Sequence, residues 1–183
     1  MHQDWFFVWA AVDELEEYLL SPVLHWPLPK RKKGERLGDL PRLTPGNLCL
    51  AKARLSVQGE LDENQDYRQT IERIDQVRSK WRVNWGRKAE QEFSERLRLW
   101  KAYIVEELEE EQHSRTDYAI QVRTRTILEL LQDEILRVNT DEQRLLDQLD
   151  EEVRMSCSQG SFVWEDRFIK AFPENRYWFL YCK

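Results

Sequence analysis

The stretch AEQEFSERLRLWKAYIVEEL, residues 89–108, decides the fold class of this chain. Its apolar side chains recur at spacings of 4, 4, 3, 4 and 4 residues, which is the pattern of one face of an α-helix. The residues of this stripe are Ala89, Phe93, Leu97, Trp100, Ile104 and Leu108. We therefore expect a long amphipathic helix that buries one face and leaves the other in water.

The same periodicity continues on both sides of this stretch, over residues 66–154. This range contains a single glycine, Gly86, and no proline, so little in it interrupts a helix. Gly86 could end a helix, kink it or allow another segment to pack closely. The sequence predicts an all-α bundle of about five or six long amphipathic helices, with an antiparallel core within 66–154.

The long range divides into several helices. One begins near Asp66, and a turn is expected near residues 113–116. The helix over 117–138 is apolar over a wide arc and should be the central, most buried one, with Leu131 fully enclosed. The sequence Thr-Asp-Glu-Gln at 140–143 then matches a capping box, which satisfies backbone donors at the start of a last clear helix.

The N-terminal part of the chain is also predicted to be helical. An apolar pattern within 1–20 indicates a first helix, and a proline-rich basic loop follows at 21–43. A short helix at 44–55 starts with Thr44 as N-cap and Pro45 in the first helical position. The whole chain is expected to form a single helical domain.

The C-terminal segment 161–183 is dense in aromatic residues rather than periodic. We predict that this tail packs on the bundle, because a terminus with so much apolar surface is not left in water. Its rings could instead anchor a protein partner. The candidate protein-binding residues are Trp164, Phe168, Tyr177, Trp178, Phe179 and Tyr181.

Composition and cysteine spacing suggest a compartment. The net charge of −6 argues against a general nucleic-acid coat. The three cysteines are odd in number and widely spaced, which favours a reducing compartment without a disulfide framework. The apolar run Trp5–Val12 is too short to span a bilayer. We predict a cytoplasmic protein without membrane contact, whose partner is another protein or a second copy of the chain.

Glu110 and His113 form the one motif typical of a metal site. Their spacing places a carboxylate and an imidazole on one helix face, as in di-iron bundles. Such bundles need the motif on two helices, and this chain has it once. We interpret the motif as part of a solvated glutamate run and expect no metal and no cofactor. The alternative is a small metal–carboxylate enzyme.

A basic and aromatic surface is predicted around residues 78–88. Arg78 and Arg82 flank the stripe that carries Trp81 and Trp85. Arginine and aromatic planes can stack on nucleic-acid bases, while positive charges neutralise phosphates. The same pattern is also typical of a core stripe covered by arginine stems. The candidate nucleic-acid-binding residues are Arg78, Lys80, Arg82, Arg87 and Lys88, with Lys30, Arg31, Lys32 and Lys33 in the loop.

No common catalytic motif supports an enzyme. The chain contains no GxSxG, no phosphate-binding Walker loop, no GxGxxG and no HExxH. We therefore predict a non-enzymatic protein-interaction module, either an adaptor or a helical subunit of a larger assembly. The first alternative is a nucleic-acid-binding accessory subunit of a nucleoprotein complex that uses the surface at 78–88.

Overall fold

The computed structural model describes residues 3–32, 35–36, 39–59, 64–109, 115–137 and 139–182. Six α-helices lie in these ranges: α1 (Gln3–Leu20), α2 (Pro45–Leu55), α3 (Gln65–Lys80), α4 (Arg82–Glu109), α5 (Arg115–Gln132) and α6 (Thr140–Ser156). Two short strands, β1 (Arg31–Lys32) and β2 (Glu35–Arg36), pair in antiparallel fashion. The tail contains two 3-10 helices, η1 (Asp166–Ala171) and η2 (Trp178–Tyr181). The predicted all-α bundle is confirmed.

The core consists of two hydrophobic clusters. The N-terminal cluster is formed by α1, α2 and α3, together with Leu43 and Trp85. The C-terminal cluster is formed by α4, α5, α6 and the tail. Helix α2 contributes to both, because Leu48 faces the first cluster and Leu50 the second. The most buried helix is therefore short α2, with seven of its eleven residues buried, and not the predicted helix at 117–138.

The starts of α2 and α6 are each capped by the polar residue that precedes the helix. Thr44 caps α2 as predicted, since its side chain accepts from the backbone N–H of Asn47. The predicted capping box at 140–143 is wrong by one residue. Asn139 is the N-cap of α6, and its side chain accepts from the N–H groups of Asp141 and Glu142. Asparagine caps a helix as well as threonine does, and it stands one residue earlier.

Gly86 does not end a helix. The break between α3 and α4 lies at Trp81, five residues earlier, and Gly86 sits inside α4. A Cβ atom at Gly86 would overlap the side chain of Leu136. Of its three expected roles, Gly86 therefore fulfils close packing, here against the turn that follows α5.

Helix α5 ends at Gln132, six residues before the predicted end. The turn after Gln132 is stabilised by Glu90 of α4, which accepts from backbone N–H groups that no longer have an acceptor in the helix. Its Oε1 accepts from the backbone N–H groups of Leu136 and Arg137, at 3.2 and 3.1 Å. Leu131, in the last turn of α5, is fully buried as predicted.

The aromatic tail packs on the bundle, as predicted. Phe172, Phe179 and Leu180 are fully buried in the C-terminal cluster. Polar groups hold the tail as well: Tyr118 Oη donates to the carbonyl of Phe179 at 2.7 Å, and Trp164 Nε1 donates to a carbonyl of α5 at 3.0 Å. The tail is thus a part of the core rather than an appendage.

Cys157 and Cys182 form a disulfide, contrary to the expectation that the cysteines remain reduced. Their Cα atoms are 5.3 Å apart, and the bond joins the residue after α6 to the end of the tail. The two cysteines lie 25 positions apart in the sequence, and this separation alone does not predict the bond, because the pairing depends on the tail folding back. Disulfides persist in oxidising environments, so this bond weighs against the predicted reducing compartment. Cys49 is a free thiol.

Candidate functional site

The end of α1 and the start of α4 are fastened to each other by polar side chains of α4. Asn84 Nδ2 donates to the carbonyl of Leu19 at 3.0 Å. Lys88 Nζ donates to the carbonyls of Ser21 and Val23, at 3.1 and 2.6 Å. These bonds fix the chain after α1 against the first turns of α4.

Large apolar side chains are exposed at this junction. Leu20, Val23 and Val83 are 55, 44 and 53% exposed. Leu20 and Val83 are chain neighbours of the hydrogen-bonded Leu19 and Asn84, and Val23 itself accepts a bond from α4. Leu20, Val23 and Val83, with Arg87 one turn along α4, are here named the junction patch. Large exposed apolar side chains on adjoining segments favour an interaction surface.

Arg78 and Lys80 are each paired with an acid from another element. Arg78 Nη2 lies 2.8 Å from Glu134 Oε2, with its guanidinium over the ring of Trp85. Lys80 Nζ lies 2.7 Å from Glu16 Oε1 on α1. The positive charges of both residues are therefore largely neutralised within the fold.

Lys88 is buried rather than displayed. Its ammonium group donates to the two carbonyls after α1 and lies 4.4 Å from the ring centre of Tyr18. Burial lowers the pKa of this ammonium. Arg82 and Arg87 are exposed, and neither has an ion pair among the described side chains. The predicted basic surface thus presents two free arginines where five cations were expected.

A cavity of about 430 Å³ lies beside this surface, between α3, α4 and the turn after α5. Its walls include Arg78, Trp85 and Glu134. Trp85 Nε1 donates to Glu134 Oε2 at 2.9 Å, so the carboxylate binds an indole and a guanidinium at once. These contacts hold the turn against α3 and α4.

The thiol of Cys49 lies on the other oxygen of the same carboxylate, with Sγ 3.8 Å from Glu134 Oε1. Burial, followed by the charge of Glu134, raises the pKa of the Cys49 thiol. A catalytic cysteine needs a lowered pKa, so this environment is the reverse of an activating one.

The metal motif cannot be placed, because Glu110 and His113 lie outside the described residues. In the ranges that the structure does describe, no group of three or more His, Cys, Asp or Glu side chains could hold a metal ion. His25 is paired with Glu95, at 2.9 Å between Nε2 and Oε2.

The basic loop is placed only in part. Lys30 is exposed at the start of the small hairpin, whose first strand contains Arg31 and Lys32. Lys33 lies outside the described residues.

The aromatic candidates of the tail divide into two groups. Phe168, Tyr177 and Phe179 are buried and so unavailable to a partner. The half-buried group consists of Trp164, Trp178 and Tyr181. Arginines from the body cover two of these rings: Arg54 lies 4.7 Å from the ring centre of Trp164, and Arg154 lies 4.2 Å from that of Trp178.

Sequence reasoning missed a buried polar network at the start of α2. The carboxylate of Glu92, which is 1% exposed, accepts from Thr44 Oγ1 at 2.7 Å and from the N–H of Gly46 at 2.6 Å. A Cβ atom at Gly46 would lie 2.8 Å from Glu92 Oε1. The segment Thr-Pro-Gly-Asn at 44–47 gives no local sign of this network, because the carboxylate that it receives lies more than forty residues away in the sequence.

Comparisons of this chain with known protein families, with curated proteins and with solved structures found no match. Among the helices in the described ranges, none has the length and apolar character needed to cross a membrane.

Proposed function

We propose that this protein is an interaction module, an adaptor or a helical subunit of an assembly, and that it binds a protein partner through the junction patch. Two observations carry the proposal: Leu20, Val23 and Val83 are exposed, and hydrogen bonds join the backbone segments on which they lie. Burying such side chains in an interface gains roughly 25 cal/mol per Å² of apolar area.

The backbone beneath the patch is held in place before any partner arrives. Asn84 and Lys88 bond three carbonyls of the segment at residues 19–23. A surface that is already ordered loses little conformational entropy on binding, so more of the interaction energy appears as affinity.

Charge indicates the chemistry of the partner. Arg87 lies one turn from Val83 on α4, and Arg82 precedes Val83; both are exposed. A partner segment that combines apolar and acidic side chains, such as an amphipathic helix, would satisfy both parts of this surface.

A protein partner is favoured over nucleic acid for two reasons. Nucleic-acid affinity comes mainly from several cations that neutralise phosphates, whereas Arg78 and Lys80 are paired with acids and Lys88 is buried. The apolar side chains of the patch also have no counterpart on a phosphate backbone. The alternative is binding of nucleic acid, and the experiment must distinguish it from binding of a protein.

The experiment compares two double variants of the full chain. Leu20→Glu with Val83→Glu places charge in the patch. The control, Ile120→Glu with Met155→Glu, changes two side chains elsewhere that are 63 and 73% exposed. Both variants should melt like the parent, because exposed substitutions change stability little.

Quantitative affinity capture and light scattering then give the readout. We expect the patch variant to lose specific protein partners, or self-association, and the control to keep them. Identical partners for both variants would contradict the proposal. Co-purifying nucleic acid lost only on charge reversal of Arg82 and Arg87 would favour the alternative.

A further inference from the structure

Two arginines from different helices converge on one amide oxygen. Arg96 Nη2 on α4 lies 3.3 Å from Asn47 Oδ1, and Arg123 Nη2 on α5 lies 2.8 Å from the same atom. The amide orientation is fixed, because Asn47 Nδ2 donates to the carbonyl of Arg42 at 2.9 Å. Two guanidinium groups thus share one neutral acceptor.

The two arginines differ in their counterions. Arg96 is paired with Glu92, whose Oε1 accepts from Arg96 Nε at 2.7 Å and from Nη2 at 2.6 Å. Glu92 also accepts from Thr44 and Gly46, so both of its oxygens already accept hydrogen bonds. Among the described side chains, the hydrogen bond of Arg123 is the one to Asn47. A guanidinium carries five donors, so most of those on Arg123 are free for a ligand.

A third guanidinium adds to the positive charge. Arg54 lies over the rings of Trp164 and Phe168, and its Nη1 is 3.9 Å from Asp4 Oδ1. Burial, then the charges of Arg96 and Arg54, lowers the pKa of Arg123 to about 10, while Asp4 and Glu92 act in the opposite direction. Glu165 and Arg167 act on Arg54 as well, so among the described side chains four cations face three carboxylates in a partly desolvated place.

We propose that Arg96, Arg123 and Arg54, here named the arginine cluster, bind the oxyanion group of a small ligand, a phosphate or a carboxylate. The planar fork of a guanidinium matches two oxygen atoms of such a group. The anion would take the free donors of Arg123 and supply the negative charge that the cluster lacks. The cluster shares no residue with the junction patch, so this site stands or falls independently of the proposed partner surface.

The test uses the full chain and inorganic phosphate as the probe. Thermal unfolding and titration calorimetry are run in sodium phosphate and in sodium chloride at equal ionic strength. We expect phosphate to raise the melting temperature in a saturable way, because a ligand of the native state stabilises it. A parallel series in sodium acetate identifies the ligand chemistry: a response to acetate alone assigns a carboxylate ligand, and a response to phosphate alone assigns a phosphate.

Three variants separate binding from a merely structural role. Arg123→Gln should weaken binding of the responding anion by about tenfold or more, the loss expected for a charge-assisted hydrogen bond. In chloride it should melt no lower than the parent, since it removes a poorly compensated charge. Arg123→Lys keeps the charge but not the fork, and should also bind more weakly. Arg144→Gln, an exposed arginine on α6, should respond like the parent.

Three results would overturn the proposal. One is a parent protein whose melting temperature and heat of titration are the same in chloride, phosphate and acetate. Another is an anion response that Arg123→Gln and Arg123→Lys both retain in full. A variant that melts lower by the same amount in all three salts would assign Arg123 a structural role alone and would equally refute the site.

Discussion

The C-terminal tail and helix α3 are attached to the bundle in opposite ways. The tail, residues 161–182, contains no α-helix, yet it inserts fully buried aromatic rings into the C-terminal cluster. Helix α3 is regular over sixteen residues and buries only Tyr67, Thr70 and Ile74. Regular secondary structure is therefore a poor measure of how much a segment contributes to this fold.

The difference lies in which groups each segment takes out of water. The tail takes aromatic rings out of water, and the polar groups of these rings have hydrogen-bond partners. For example, Trp164 Nε1 donates to the carbonyl of Ala119. Much of the contact between α3 and α1 is polar and at the surface, for example the pair of Arg73 and Asp13 at 2.9 Å. Buried apolar area stabilises far more than exposed ion pairs do.

Deleting the tail should have the largest effect. Truncation after Gly160 removes Phe172, Phe179 and Leu180, each worth about 1.5–3 kcal/mol when buried. We expect loss of the sharp thermal transition and binding of a hydrophobic dye, measured by circular dichroism and fluorescence. A truncated chain that melts like the parent would show that the tail and α3 do not differ.

The next effect concerns the ion pair beneath the tail. Arg125 is 4% exposed, binds both oxygens of Asp150 at 2.8 Å, and lies 4.5 Å from the ring centre of Phe179. Asp150→Ala leaves this charge with Glu129 alone and should cost about 3–5 kcal/mol in urea unfolding. Asp141→Ala on the same helix breaks an exposed pair and should change stability little. Equal losses in both variants would contradict the expected contrast.

Loss of the disulfide should have the third-largest effect on stability. Cys157→Ser opens a loop of 25 residues and should lower the free energy of unfolding by about 2–4 kcal/mol. Thiol titration of the denatured, unreduced parent should find one free cysteine, Cys49, and three after reduction. Three thiols before reduction would refute the bond.

Two glycines allow the contrast between tight and loose contacts to be tested within helices. An alanine at Gly46 would overlap the buried Ile127 and should cost about 1–3 kcal/mol. An alanine at Gly86 would meet Leu136, which is half exposed in a turn and can move aside. The gain of about 1 kcal/mol in helix propensity should then roughly cancel the clash. Denaturant unfolding of both variants measures the difference, and equal losses would show that both contacts are rigid.

The smallest effect is expected at the surface of α3. Arg73→Gln breaks the pair with Asp13, in which both side chains are about half exposed. Its cost should stay below about 1 kcal/mol and shrink further in high salt. A loss comparable to that of Asp150→Ala would mean that α3 is held as firmly as the tail.

Periodicity and capping residues predicted most helices and the burial of Leu131, because both depend on neighbours in sequence. They did not predict the end of α5, since the apolar pattern continues through Ile135 and Leu136 while the acceptor that turns the chain, Glu90, comes from another helix. The disulfide was not predicted either, because its two cysteines meet only when the tail is folded.

The surroundings of the candidate site residues were predicted less well than the fold for the same reason. The sequence places Arg78 and Lys88 near aromatic residues, but the acid that neutralises Arg78 and the carbonyls that enclose Lys88 lie about fifty or more residues away. The arginine cluster is assembled over separations of 49 and 76 residues around Asn47. A local sequence pattern does not predict contacts between residues so far apart in the chain.

The position of α2 between the two hydrophobic clusters makes them thermodynamically linked. Leu48 and Leu50, two residues apart, belong to different clusters, so neither cluster can open without exposing a helix that the other requires. The chain should therefore unfold as one cooperative unit. Asn47, in the first turn of the same helix, touches the arginine cluster, so an anion bound there would stabilise the distant junction of α1 and α4 through linkage alone.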